Sequence, residues 1–120
     1  MAPLIDTGIR PLACLLSEAS GHRSRENIAL KADSGMIAPN TVLAEDATEP
    51  GKYVPAAAGA TAIGIALYGG DTSEGEVFVP GLMRDAEVNV HTLIFAPDVD
   101  TAEKRVAKIA QLRAVGIIAR

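Results

Sequence analysis

The stretch MIAPNTVLAEDATEPGKYVP, residues 36–55, decides how the chain folds. It sets a turn at Pro39-Asn40, a β-branched pair at Thr41-Val42, a second turn at Pro50-Gly51 and a short strand in GKYVP. Proline fixes φ, while asparagine and glycine accept the left-handed backbone such turns often need, so each pair ends one extended run and begins another. Outward from it the same grammar repeats. ENIALKA, residues 26–32, alternates Ile28 and Leu30 with Asn27, Ala29 and Lys31, the period of two of a strand. TAIGIALYGG, residues 61–70, is an apolar strand whose Gly64 marks a bulge or a close backbone approach. EVFVP, residues 76–80, follows the loop GGDTSEG. Short strands between Gly/Pro turns predict a compact β barrel or sandwich.

One helix stands apart. In DVDTAEKRVAKIAQLRAVG, residues 98–116, Asp100 is the expected N-cap, with Glu103 completing a capping box. Val106, Ile109 and Ala110 form the expected apolar stripe, and Gly116 suits the position just past the helix end. Arg113 falls inside that apolar arc, where it has to snorkel or pair with an acid. GIIAR then reads as a final strand. The fold class is mostly β with one C-terminal helix over about 101–115, a small β-clip or barrel-like domain at 25–120. An extended N-terminal arm, residues 1–24, precedes it; Pro3 and Pro11 interrupt it and SEASGHRSR is polar and turn-rich. Its apolar patch PLACLL is either a docking peptide or packs on its own domain.

A chain of 120 residues is most simply one domain, and 48% hydrophobic residues with a mean hydropathy of +0.21 suit an ordered globule. Aromatics are scarce, two Phe, two Tyr and no Trp, so a partner is held by area or by many weak copies rather than by aromatic anchors. The net charge of -4 is unevenly spread: residues 32–100 carry two basic and eleven acidic groups, residues 101–120 five basic and one acidic. That is not the contiguous basic face of a nucleic-acid binder, and it predicts a basic helix facing acidic sheet edges, within or between subunits. The single Cys14 excludes an internal disulfide and a cysteine-based zinc site. PLACLLSEA mimics a lipoprotein processing site, but Pro11 stands where an aliphatic residue is required, and Asp6 and Arg10 interrupt the leader. No apolar run approaches the ~18 residues of a membrane span. The expectation is a soluble protein, intracellular when made.

The densest polar chemistry lies in GLMRDAEVNVHTLIF, residues 81–95. On a straight strand Asp85, Glu87, Asn89 and His91 share one face, and Arg84 lies on the other. Neighbours on such a face are roughly 7 Å apart, so four ligands cannot converge on one metal. His22 and His91 are the only imidazoles, Cys14 has no evident base, and no glycine pattern matches a phosphate loop. The sequence predicts no catalytic residue, no cofactor and no metal.

The order SGHRSRENIAL, IAPNTVLAEDATEPGKYVP, TAIGIALYG, VPGLMRDAEVN and KIAQLRAVGIIAR resembles the head decoration proteins of tailed bacteriophages, the lambda protein D type, over roughly residues 16–120. One departure is Asn40, where glycine is expected before TVL; asparagine can take the same backbone conformation. The resemblance implies a structural capsid protein that binds the exterior of the expanded head as homotrimers, on the outer surface of the virion, after synthesis in the host bacterial cytoplasm. It implies that the arm contacts the major capsid protein, with Leu4, Ile5, Pro11, Leu12, Leu15, Leu16 and Arg23 as docking residues. Arg84, Asp85, Glu87 and Arg113 are the candidates for ion pairs or hydrogen bonds near the trimer interface, with neither nucleic acid nor membrane as partner. The competing reading is a small-molecule module similar to the sugar-binding antifreeze-like (SAF) domains of β-clip type, with a pocket at Asn89 and His91.

Overall fold

The computed structural model describes residues 10–120. Its elements in chain order are β1 (Leu15–Glu18), β2 (Arg25–Leu30), β3 (Met36–Ile37), β4 (Val42–Glu45), β5 (Lys52–Pro55), β6 (Gly64–Ala66), β7 (Gly70–Asp71), β8 (Val77–Leu82), β9 (Ala86–Val88), α1 (Ala102–Ala114) and β10 (Ile117–Ala119). Five strands close a barrel in the order β2-β5-β4-β6-β8. β2 runs antiparallel to β8 along six residue pairs, from Arg25↔Leu82 to Leu30↔Val77, and parallel to β5 on its other side. Closure leaves these strands no open edge to manage. A three-stranded sheet, β1-β9-β10, and the small β3-β7 pair complete the architecture, so the fold is mostly β with a single C-terminal helix.

Alternation along the strands builds two cores. Leu43 and Ala66 join Ile28, Leu30, Ile37 and Val79 in one cluster. Their neighbours Val42, Ala44, Ile65 and Leu67 point the other way, into a second cluster with Cys14, Val88, Leu112 and Ile117. β4 and β6 are therefore apolar on both faces, which is why VLA and GIALY read as continuous hydrophobic runs. Gly64 is the close approach anticipated: a Cβ there would lie 3.1 Å from the Leu82 carbonyl oxygen and 2.6 Å from the Met83 sulfur.

The helix is where expectation and structure part. Thr101, not Asp100, is the N-cap: its Oγ1 accepts from the Lys104 amide at 3.2 Å, while Asp100 instead pairs with the Lys104 amine at 3.1 Å. The expected stripe is rotated as well. Val106 is 63% exposed, and the buried positions are Lys108 and Leu112. The cause is the surface against which α1 docks. Lys108 donates to the carbonyls of Ala58 (3.2 Å) and Ala60, and the Gln111 side-chain oxygen accepts from the Ala62 amide at 2.8 Å. A loop presenting backbone polar groups has to be met by polar side chains, so two polar residues occupy the inner face. Arg113 follows the rotation and is exposed. Gly116 ends the helix with φ +88, the left-handed position past the last turn.

The polar row is also interrupted. β9 covers only Ala86–Val88; Asp85 before it has φ +48, and Val90–Thr92 after it form a 3-10 turn capped by the Asn89 side chain. Asp85, Glu87, Asn89 and His91 therefore do not form one strand face.

Candidate docking site

The site begins at a turn residue. Asn40 has φ +72, the left-handed conformation that a glycine would supply, and it is fully buried. Its side chain does what glycine cannot. Oδ1 accepts from the Cys14 amide at 3.2 Å and Nδ2 donates to the Arg10 carbonyl at 2.8 Å, while its own backbone amide donates to Ala66 at 2.6 Å. One side chain thus holds the incoming N-terminal segment to the barrel. The Leu12 amide donates to Leu67 at 3.0 Å, the Asn89 amide donates to Cys14 at 2.7 Å, and β1 pairs antiparallel with β9 through Leu15↔Val88, Ser17↔Glu87 and Glu18↔Ala86.

Residues 10–24, placed in the arm on sequence grounds, lie within the folded body. Leu12 and Leu15 pack partly buried against the larger core cluster, and Leu16 points outward, 54% exposed. Pro11 forms one wall of an apolar surface groove with Met36, Pro39 and Tyr68. Arg23 is exposed. Leu4 and Ile5 lie outside the described residues. Cys14 is fully buried in the core, and burial pushes its thiol up to about 11.

Three of the four interface candidates gather where the end of β8 meets β9. Arg84 forms an ion pair with Glu26 and donates to the Arg23 carbonyl at 2.7 Å. The Asp85 carbonyl accepts from the buried Ser24 hydroxyl at 2.9 Å, and that hydroxyl oxygen accepts from the Ala19 amide at 3.0 Å. Glu87 pairs with Arg120 at 3.1 Å. The left-handed turn at Asp85 separates Arg84 from the acids beside it, so Arg84 and Glu87 find charge partners from other segments, while Asp85 is held through its backbone carbonyl. Arg113 takes no part in this cluster. Nearby, Arg25 grips Glu18 through two nitrogens, Nε to Oε1 at 2.9 Å and Nη2 to Oε2 at 2.6 Å, which holds the Glu18 carboxyl below the usual range.

Within one subunit the acidic sheet edges meet basic groups other than those of the helix. Asp46, Glu49 and Glu76 pair with Lys31 and Lys52 of the barrel rather than with the helix. Arg105 sits 5.8 Å above the Phe95 ring. His91 borders an open depression with Phe95, Asp100 and Arg105, and the Asn89 side chain accepts from the His91 amide at 3.0 Å. Among the described residues no three His, Cys, Asp or Glu side chains are grouped to hold a metal ion, and no helix is long and apolar enough to cross a membrane.

The family model of the bacteriophage lambda head decoration protein D matches residues 4–117. The chain belongs to that family. No curated protein matches it. As a head decoration protein it is a structural phage component with a capsid decoration role, and it belongs with the virion capsid. The match includes Leu4 and Ile5 and reaches through the helix into β10. What sequence reasoning missed is Asn40: its backbone role was legible, but its contacts are 26 and 30 residues away. The only signal was the departure from glycine.

Proposed function

We propose that this decoration protein binds the outer surface of the expanded phage head as homotrimers, and that the N-terminal arm of each subunit grips the major capsid protein. The observation that carries this reading is the family match over 4–117, which takes in most of the arm together with the folded body as far as the start of β10. The supporting geometry is the clamp: Asn40 fixes residues 10–14, so pull on the arm is delivered to the barrel instead of being lost in slack chain. Three such arms on one body gain effective concentration, and avidity exceeds single-arm affinity by roughly 10²–10⁴. The Arg84, Asp85 and Glu87 corner lies near the subunit contact. Stabilisation of the head then comes from many copies bridging capsid subunits, without catalysis.

The test is co-sedimentation of the purified chain with expanded, undecorated heads, with unexpanded heads as control. Saturable binding to expanded heads alone is the expected result, and binding to neither overturns it. Deleting residues 1–9 keeps every described residue, and the deletion protein is expected to keep its oligomeric state and lose head binding. Full binding by that protein removes the arm from the mechanism.

A further inference from the structure

With Lys108 and Leu112 buried, a helix of 3.6 residues per turn turns Ala102, Glu103, Val106, Ala110 and Arg113 toward solvent, and all five are exposed. The middle of this face is small or apolar. Its ends carry opposite charges, Glu103 and Arg113, each five residues from Lys108, and neither makes an ion pair among the described residues.

We propose that α1 packs antiparallel against α1 of a second copy, across a twofold axis level with Lys108. That operation sets Val106 level with the partner subunit's Ala110 and Glu103 level with the partner subunit's Arg113, and symmetry makes each contact twice. Parallel packing would oppose glutamate to glutamate and arginine to arginine, so the charges select the antiparallel arrangement. The helix dipoles favour the same choice. Alanines at 102 and 110 let the two backbones come close, and Val106 supplies the apolar contact that is otherwise wasted on solvent. A helix of this length is roughly 20 Å long, and a contact that size falls short of the ~1,200 Å² of a stable interface. The contact is therefore weak between free proteins and effective between copies already held close together. It holds whether the copies are single subunits or members of two trimers.

Sedimentation of the full chain over a concentration series tests it, where doubling means pairing of the smallest species, a single step for one helix per species and two trimers or more for a trimer with three. The smallest species at low concentration reports the subunit count of the proposed trimer, and doubling of that species at high concentration reports the helix contact, so the two readings fail separately. Glu103→Arg or Arg113→Glu is expected to weaken doubling about tenfold, because both pairs become repulsive at once. The combined exchange is expected to restore it. A mixture of Val106→Cys and Ala110→Cys proteins should form a mixed disulfide faster than either protein alone, with buried Cys14 silent. Absence of doubling overturns the proposal. So does doubling indifferent to both single reversals, cross-linking of Val106→Cys alone at the rate of the mixture, or a reversal that changes the smallest species instead of its doubling.

Discussion

At the scale of single residues, Asn40 does the most with the least. A glycine could hold its backbone, but then the Cys14 amide would lose its partner and the Arg10 carbonyl would keep only the Ala13 amide at 3.2 Å. Leaving a buried amide unsatisfied costs about 1–3 kcal/mol. Asn40→Gly is therefore expected to lower unfolding free energy by that amount in chemical denaturation. It should also speed thiol labelling of Cys14, whose burial and raised pKa keep it unreactive in the native protein. Unchanged labelling would show that other contacts hold the segment. Asp46 is the second informative residue. Hydrogen bonds from the Thr48 hydroxyl, the chief cause, and from the Glu49 and Thr48 amides, with the Lys31 charge, hold its carboxyl at about 2 against an ordinary 3.8. Because folding lowers this pKa, its contribution is present above the ordinary value and is lost as pH falls through about 2. An NMR titration should place the midpoint at about 2, and Thr48→Val should raise it.

At the scale of elements, α1 shows how a docking surface overrides a pattern. Its composition announced a helix and its terminal glycine fixed the end, yet the buried face was set by the carbonyls of Ala58 and Ala60. Burial lowers the Lys108 pKa, partly offset by the charge of Asp98, and both carbonyls depend on that amine. Lys108→Ala removes the stem and leaves those groups unpaired, at a cost of about 2–4 kcal/mol by thermal or chemical unfolding. A loss below about 0.5 kcal/mol, the range of ordinary surface changes, would mean that water takes over the carbonyls. β9 teaches the converse lesson. Eight residues of alternating polarity, Arg84–His91, suggested one long strand, but the left-handed Asp85 and the 3-10 turn at Val90–Thr92 leave only Ala86–Val88 paired on both sides.

At the scale of the whole molecule, the larger core cluster ties the segment around Cys14, the barrel, β9, α1 and β10 into one unit, so the N-terminal segment and the C-terminal strand meet on opposite sides of β9. In the proposed trimer, the Arg84 corner is under load where β8 hands over to β9. Arg84→Ala is expected to weaken trimers in a dilution series while leaving each subunit's melting transition within about 1 kcal/mol, since exposed pairs are worth little within one chain. A trimer as stable as the unaltered protein would remove Arg84 from the interface. The sequence by itself determined the class: strands broken by Gly/Pro turns, a single helix near 101–115, and left-handed positions at Asn40 and Gly116. These follow from local steric preference and period, which neighbours along the chain suffice to set. Only the tertiary structure decided that the barrel closes, that residues 10–18 join the body and that Lys108 faces inward. It also decided which acids Arg84 and Arg120 meet. Those outcomes depend on which groups remote segments present to one another, and a buried polar group takes the partner that the fold brings within reach.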